Sequence, residues 1–101
     1  MKTKTERSWF VYLIECVNGK IYTGITTDVE KRFRKHCLGK GAKFTRGNPP
    51  SHLLGVKQCA NRSHASQLEY QIKRLTPHQK RTLGLSKEWM VNIALEVSSV
   101  S

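Results

Sequence analysis

The dipeptide Asn18-Gly19 separates two extended stretches and limits the architecture of this chain more than any other feature. Trp9 to Cys16 is apolar and aromatic apart from Glu15, and Lys20 to Ile25 is a second short stretch of strand character. Asn and Gly both tolerate positive φ, so the pair marks a β-hairpin. Loop length then decides which side chains share a face. A two-residue loop sets Tyr22 opposite Glu15 and puts Tyr12 and Tyr22 on opposite faces. A three-residue loop ending in a Gly bulge sets Tyr22 opposite Ile14 and brings both hydroxyls to one side. The second arrangement is the expectation, because a shared site needs both hydroxyls together.

Thr26-Thr27-Asp28 offers N-cap residues for a helix of about ten residues, with Asp28 and Glu30 near its positive end. Val29, Phe33 and Cys37 are read as its apolar stripe. Arg32 and His36 lie one turn apart on the edge of that stripe, so both can look toward the sheet without being buried in it. Gly39 to Lys43 and Gly47 to Pro50 are loop-forming stretches around Phe44-Thr45-Arg46. His52 to Cys59 reads as a third strand weakened by Gly55. Ser63 to Leu75 reads as a helix, Thr76-Pro77 starts a short one, and Trp89 to Val97 is expected to form another. The expected fold is α/β, an α+β sandwich in the order β-β-α-β-α-α. Its small three-stranded mixed or antiparallel sheet is flanked by helices. One domain would span 9–97, between tails at 1–8 and 98–101.

A chain of 101 residues has room for one modest core. Eighteen Lys and Arg against seven Asp and Glu give a formal charge of +11, an imbalance that costs self-repulsion and points to a polyanionic partner. No apolar run is long enough to span a bilayer, and 1–7 lacks a signal-peptide core, so the expected location is cytoplasmic, near the nucleoid. Cys16, Cys37 and Cys59 are odd in number and have no C-x-x-C spacing, which favours reduced, partly buried thiols over disulfides or a zinc site.

Seven cations, Lys31, Arg32, Arg34, Lys35, Lys40, Lys43 and Arg46, fall within sixteen positions that contain no acid. A surface that tracks a phosphate backbone needs such a deficit of acids. The bland alternative is a solvated helix face. Between Lys31 and Lys87 the only carboxylate is Glu69. Two-metal hydrolysis needs several carboxylates, so one Mg²⁺ or Mn²⁺ held by Glu69, waters and the scissile phosphate is the metal site this segment can offer. The competing reading is a Glu69-Lys73 helix pair at i,i+4.

Val11-Tyr12-Leu13 followed by Tyr22-Thr23-Gly24 resembles the paired motifs of the GIY-YIG nuclease superfamily. The resemblance extends through Thr26, Arg32, His36, Gly41-Ala42-Lys43-Phe44-Thr45 and Leu68-Glu69-Tyr70, covering 9 to about 80. It is closest to the small single-domain bacterial branch. Val11 and Leu13 replace Gly and Ile of the first motif, and Thr23 replaces Ile of the second. Ile25 stands where some members carry a lysine.

Carried over, the resemblance implies that Tyr12 or Tyr22 helps to activate water, Arg32 steadies the pentavalent phosphate and Glu69 binds the cation. A phenol with its usual pKa of about 10 is a poor base and needs help. With no lysine at Ile25, more weight falls on His36. The implied activity is a metal-dependent DNA endonuclease, with single-stranded or branched DNA favoured because the chain grips with its own loops. Lys31, Lys35, Lys40, Lys43, Arg46 and Lys73 are the expected backbone contacts, and Phe44 is either a stacking platform for an unpaired base or ordinary packing. RNA stays open, since nothing reads a 2′-hydroxyl. A monomer or weak homo-oligomer is expected, with no membrane partner. The alternative is a basic binding module that assists a repair or recombination partner without turnover.

Overall fold

The structure, a computed structural model, describes residues 8–86 and Trp89. The expected N-terminal tail (apart from Ser8), the helix expected from Trp89 to Val97 (apart from Trp89 itself) and the C-terminal tail lie outside the described residues.

Three strands, β1 (Trp9–Cys16), β2 (Ile21–Thr26) and β3 (Pro50–Cys59), form one antiparallel sheet in the order β2-β1-β3. Four helices accompany them: α1 (Val29–Cys37), α2 (Lys43–Gly47), α3 (Arg62–Lys73) and α4 (Pro77–Gly84). The order is therefore β-β-α-α-β-α-α, and the extra helix α2 stands where the Gly-rich stretches read as loop. A five-residue helix is too short to show a period, and its N-cap, Ala42, makes no side-chain cap bond.

The hairpin loop is Val17-Asn18-Gly19. Gly19 N–H donates to Cys16 C=O at 2.9 Å and Cys16 N–H to Lys20 C=O at 2.8 Å, while Gly19 takes φ +87°. That is a tight turn closed by a glycine bulge, and it pairs Ile14 with Tyr22 and Tyr12 with Gly24. The three-residue loop is the expected one.

β1 lies between two strands and is buried on both faces, which explains its apolar run from Trp9 to Ile14. Val11 and Leu13 point into one core with Ile21, Leu54, Ala65, Ile72 and Trp89. Tyr12 and Ile14 point into the other with Val29, Phe33, Leu53 and Val56. So α3 covers one face and α1 the other, and each buried Leu, Ile or Phe contributes about 1.5–3 kcal/mol.

Along β3 the register slips between Leu13 and Ile14, whose partners are Gly55 and Leu53, so Leu54 is a bulge residue. A Cβ at Gly55 would stand 3.0 Å from the Gly84 backbone of α4. Gly55 therefore marks a close helix approach rather than a weak strand. Arg81 of α4 ties down the hairpin end, donating to Gly19 C=O at 2.6 Å and pairing with Glu15 at 3.3 Å. Among the described residues no helix is long and apolar enough to cross a membrane.

Candidate functional site

The three-residue hairpin loop places Tyr12 and Tyr22 on the face that α1 covers, and their ring centroids lie 6.1 Å apart. Tyr12 is only 1% exposed, whereas Tyr22 is half-buried. Gly24, opposite Tyr12, makes room for this pair: a Cβ there would stand 2.6 Å from Tyr12 Oη and 2.9 Å from Tyr22 Cε2.

His36 reaches the same place from α1, with its ring 4.9 Å from that of Tyr22 and 5.8 Å from that of Tyr12. Its position corrects the expectation of an exposed helix edge, since His36 is fully buried and Cys37 is exposed. Helix geometry gives the reason. At about 100° per residue, His36 falls about 20° from Val29 around the helix, whereas Cys37 falls about 80° away. The stripe that faces the sheet is thus Val29, Phe33 and His36. Cys16 and Cys59 are buried.

Each nitrogen of His36 has a partner. Nε2 lies 2.9 Å from Tyr12 Oη, and Nδ1 lies 2.6 Å from Thr45 Oγ1 of α2. Thr45 in turn donates to Ala42 C=O at 3.0 Å. A Cβ at Gly41 would collide with His36 Nδ1, so the glycine of this loop is a condition for the ring's placement. The sequence reading gave Thr45 and Gly41 no role of their own. Both stand in the Gly41-to-Thr45 segment of the family resemblance, which by itself says nothing of what either side chain touches.

Burial shifts both ends of the Tyr12–His36 bond toward neutrality. Desolvation, and then neighbouring Tyr22, push the Tyr12 phenol far above its usual value, against a smaller downward pull from Arg32. Desolvation, and then the Arg32 charge, lower His36 from 6.5 to about 4. Around neutral pH the proton therefore rests on Tyr12. That Arg32 acts on both groups places its guanidinium at this cluster. Arg32 also lines a shallow cleft with Thr26, Thr27, Asp28, Lys31 and Lys35.

Phe44 stacks on Tyr22, with centroids 5.8 Å apart and planes at 29°, and keeps 37% of its surface exposed. Lys40, Lys43 and Arg46 are exposed in and around α2. Arg34 is engaged by Glu30 at 2.6 Å.

Glu69 lies on α3, the helix that packs on the other face of the sheet and along β1 and β2. It pairs with Lys73 at 3.1 Å, as the helix-pair reading had it. Among the described residues no group of three or more His, Cys, Asp or Glu could hold a metal ion. The donor set therefore does not fit an ion caged by protein alone. One hard carboxylate fits a Mg²⁺ or Mn²⁺ ion that fills its remaining positions with water and phosphate oxygens.

The match to a family model decides the family: residues 8–82 fit the GIY-YIG catalytic domain. The chain belongs to the GIY-YIG family. Within it, a UPF0213 protein of Cupriavidus necator is 49% identical over 76 residues, which is 75% of this chain and 83% of the relative. The UPF0213 protein YhbQ of Salmonella typhimurium is 46% identical over 80 residues, covering 79% and 80%. The solution NMR structure of the UPF0213 protein BH0048 from Bacillus halodurans superposes with a TM-score of 0.50 at 41% identity, covering 80% of this chain and 86% of that one. Membership makes this GIY-YIG domain nuclease-like in fold and implies nucleic acid as its general substrate class.

Proposed function

We propose that this GIY-YIG domain is a DNA endonuclease that uses one divalent cation. The observation that carries the reading is the meeting of Tyr12, Tyr22 and His36, from a strand pair and one helix, with Arg32, which also lines a cleft with Lys31 and Lys35. Perturbed titratable groups beside a basic cleft are what hydrolysis of a phosphodiester calls for.

Tyr22 is the more open of the two phenols, so it is the one we place against the attacking water. Tyr12, sealed behind it, carries the proton inward to His36 Nε2. The resting pair is neutral, and separating its charges becomes favourable only as negative charge grows on the phosphate. Arg32 offsets that charge with its permanently cationic guanidinium. Glu69 would hold the Mg²⁺ or Mn²⁺ ion, which when bound would draw charge from the phosphate oxygens.

Lys31 and Lys35 grip the strand from the cleft, while Lys40, Lys43, Arg46 and Lys73 extend the contact along its backbone. The exposed part of Phe44, already stacked on Tyr22, offers a ledge for an unpaired base, which favours single-stranded or branched DNA.

One observation favours the second reading, a binding module without turnover: Lys73 already occupies Glu69. The two separate when purified protein meets single-stranded, duplex and branched DNA, and matched RNA, with Mg²⁺, Mn²⁺ or chelator. The enzyme reading expects metal-dependent cuts that disappear in Tyr22→Phe and Arg32→Ala. Binding with no cleavage of any substrate would leave only the module.

A further inference from the structure

The hydrogen bonds behind the tyrosines carry a directional order that begins at a backbone carbonyl. Ala42 C=O has no proton to give, so in its 3.0 Å contact with Thr45 Oγ1 the threonine must donate. A hydroxyl has only one proton. In its 2.6 Å contact with His36 Nδ1 the same oxygen can therefore only accept, and Nδ1 must carry the hydrogen. A neutral imidazole has one N–H. Nε2 is then bare, and it accepts the phenol proton of Tyr12 across 2.9 Å.

We propose that Thr45 is a positioning residue that fixes the tautomer of His36, with the proton on Nδ1, and so makes Nε2 the base that receives the Tyr12 proton. This rests on the reading of Tyr12 and His36 as the proton path of a nuclease. Thr45 does not touch substrate. Its place on α2, 2% exposed, lets it act only through the ring it holds.

The opposite tautomer breaks the chain at two points. With hydrogen on Nε2, the ring would donate to Tyr12 and turn the phenol proton outward toward Tyr22, away from His36. Bare Nδ1 would at the same time need the proton of Thr45, which would then leave Ala42 C=O. Turning the ring over would exchange its nitrogens for carbons and give up both contacts, Thr45 Oγ1 on one side and Tyr12 Oη on the other.

The step this arrangement prepares is a plain proton transfer. The Tyr12 O–H bond breaks with its electron pair left on oxygen, an Nε2–H bond forms, and neutral imidazole becomes imidazolium with hydrogen on both nitrogens. Only the Nδ1–H tautomer can take that proton at Nε2. The role is like that of the carboxylate in a serine-protease triad, where losing the correct tautomer lowers turnover by about 10⁴-fold. A neutral hydroxyl orients less strongly, and we expect about 100-fold.

Two measurements test this independently of each other. Long-range proton–nitrogen NMR of histidine-labelled wild type should show His36 Nδ1 as the pyrrole-type nitrogen and Nε2 as the pyridine-type nitrogen at neutral pH. Thr45→Val, which keeps shape and drops the hydroxyl, should mix or reverse that pattern, and Thr45→Ser should restore it. In cleavage assays Thr45→Val should lower kcat about 100-fold with little change in KM, and Thr45→Ser should recover most of it. Wild type carrying hydrogen on Nε2, or Thr45→Val keeping it on Nδ1, would overturn the proposal. The expected NMR pattern in a protein that cuts no nucleic acid would overturn the base role of Nε2 along with the nuclease reading and leave only the tautomer assignment standing. Cleavage that survives Thr45→Val undiminished, with the tautomer reversed, would overturn the positioning role alone.

Discussion

Tyr12 Oη and His36 Nε2 lie 2.9 Å apart between β1 and α1, in a place where neither side chain has more than 1% of its surface exposed. A hydrogen bond so placed holds the site in register, because His36 Nε2 would otherwise be a buried polar atom without a partner. Tyr12→Phe keeps the ring and strands Nε2. It is expected to cost about 1–3 kcal/mol of stability. Tyr22→Phe removes a half-buried hydroxyl and is expected to cost less than about 1 kcal/mol. Urea unfolding of the two variants beside wild type checks the order, and equal losses would count against a special role for the Tyr12–His36 bond.

Two glycines serve as packing surfaces for this pair. Gly24→Ala would set a methyl group 2.6 Å from Tyr12 Oη, and Gly41→Ala would drive one into the His36 ring. Neither ring has free space behind it. Each substitution should lower stability by about 1–3 kcal/mol through overpacking and should reduce any cleavage rate by more than the loss of folded protein explains. Gly47→Ala is the control, since nothing lies within 4 Å of a Cβ there. Its effect should stay within about 0.5 kcal/mol.

The reach of the sequence is clearest at these residues. Asn18-Gly19, together with the need to bring two phenols to one face, was enough to predict the three-residue loop and the pairing of Ile14 with Tyr22. The turn residues mark the hairpin locally, and the shared site then selects the loop length. The depth of His36 is not local. Helical spacing turned it toward the sheet, but α2 seals it from above, and α2 was hidden in a stretch whose glycines and prolines read as loop. The roles of Thr45 and Gly41, though both belong to the segment that carries the resemblance, became visible only through contacts that cross from α2 and its leading loop to α1. Glu69 was conspicuous as the lone acid in a basic stretch, yet sequence could not decide between metal and Lys73, because both ask for the same carboxylate.

The depressed pKa of His36 ties stability to pH in a defined direction. Folding lowers this pKa from 6.5 to about 4. Above 6.5 the group is neutral in folded and unfolded chains alike, and its contribution to stability is complete. Between 6.5 and about 4 only the unfolded chain binds the proton, so stability falls as the pH is lowered through this window. Below the folded pKa the loss levels off at about 3 kcal/mol. His36→Gln removes the titration. Wild type should therefore lose more of its urea midpoint than His36→Gln between pH 7 and pH 4.5. Parallel losses would mean that His36 titrates normally.

The ion pair of Glu69 and Lys73 offers a way to test the metal assignment without abolishing it. The pair spans 3.1 Å on a helix face, with Lys73 about half exposed, and such i,i+4 pairs stabilise by about 0.3–0.5 kcal/mol. A cation arriving at Glu69 must displace this lysine. Lys73→Gln removes the competitor and should lower the Mg²⁺ concentration for half-maximal cleavage by about 2-fold, the factor that such a free energy represents. The midpoint is the quantity to compare, because loss of a positive charge also weakens grip on the nucleic acid and depresses the rate at every metal concentration. Glu69→Gln should instead raise the midpoint steeply or abolish cleavage. Wild-type cleavage that keeps its midpoint in both variants would show that the ion binds elsewhere and that Glu69 serves only to pair with Lys73.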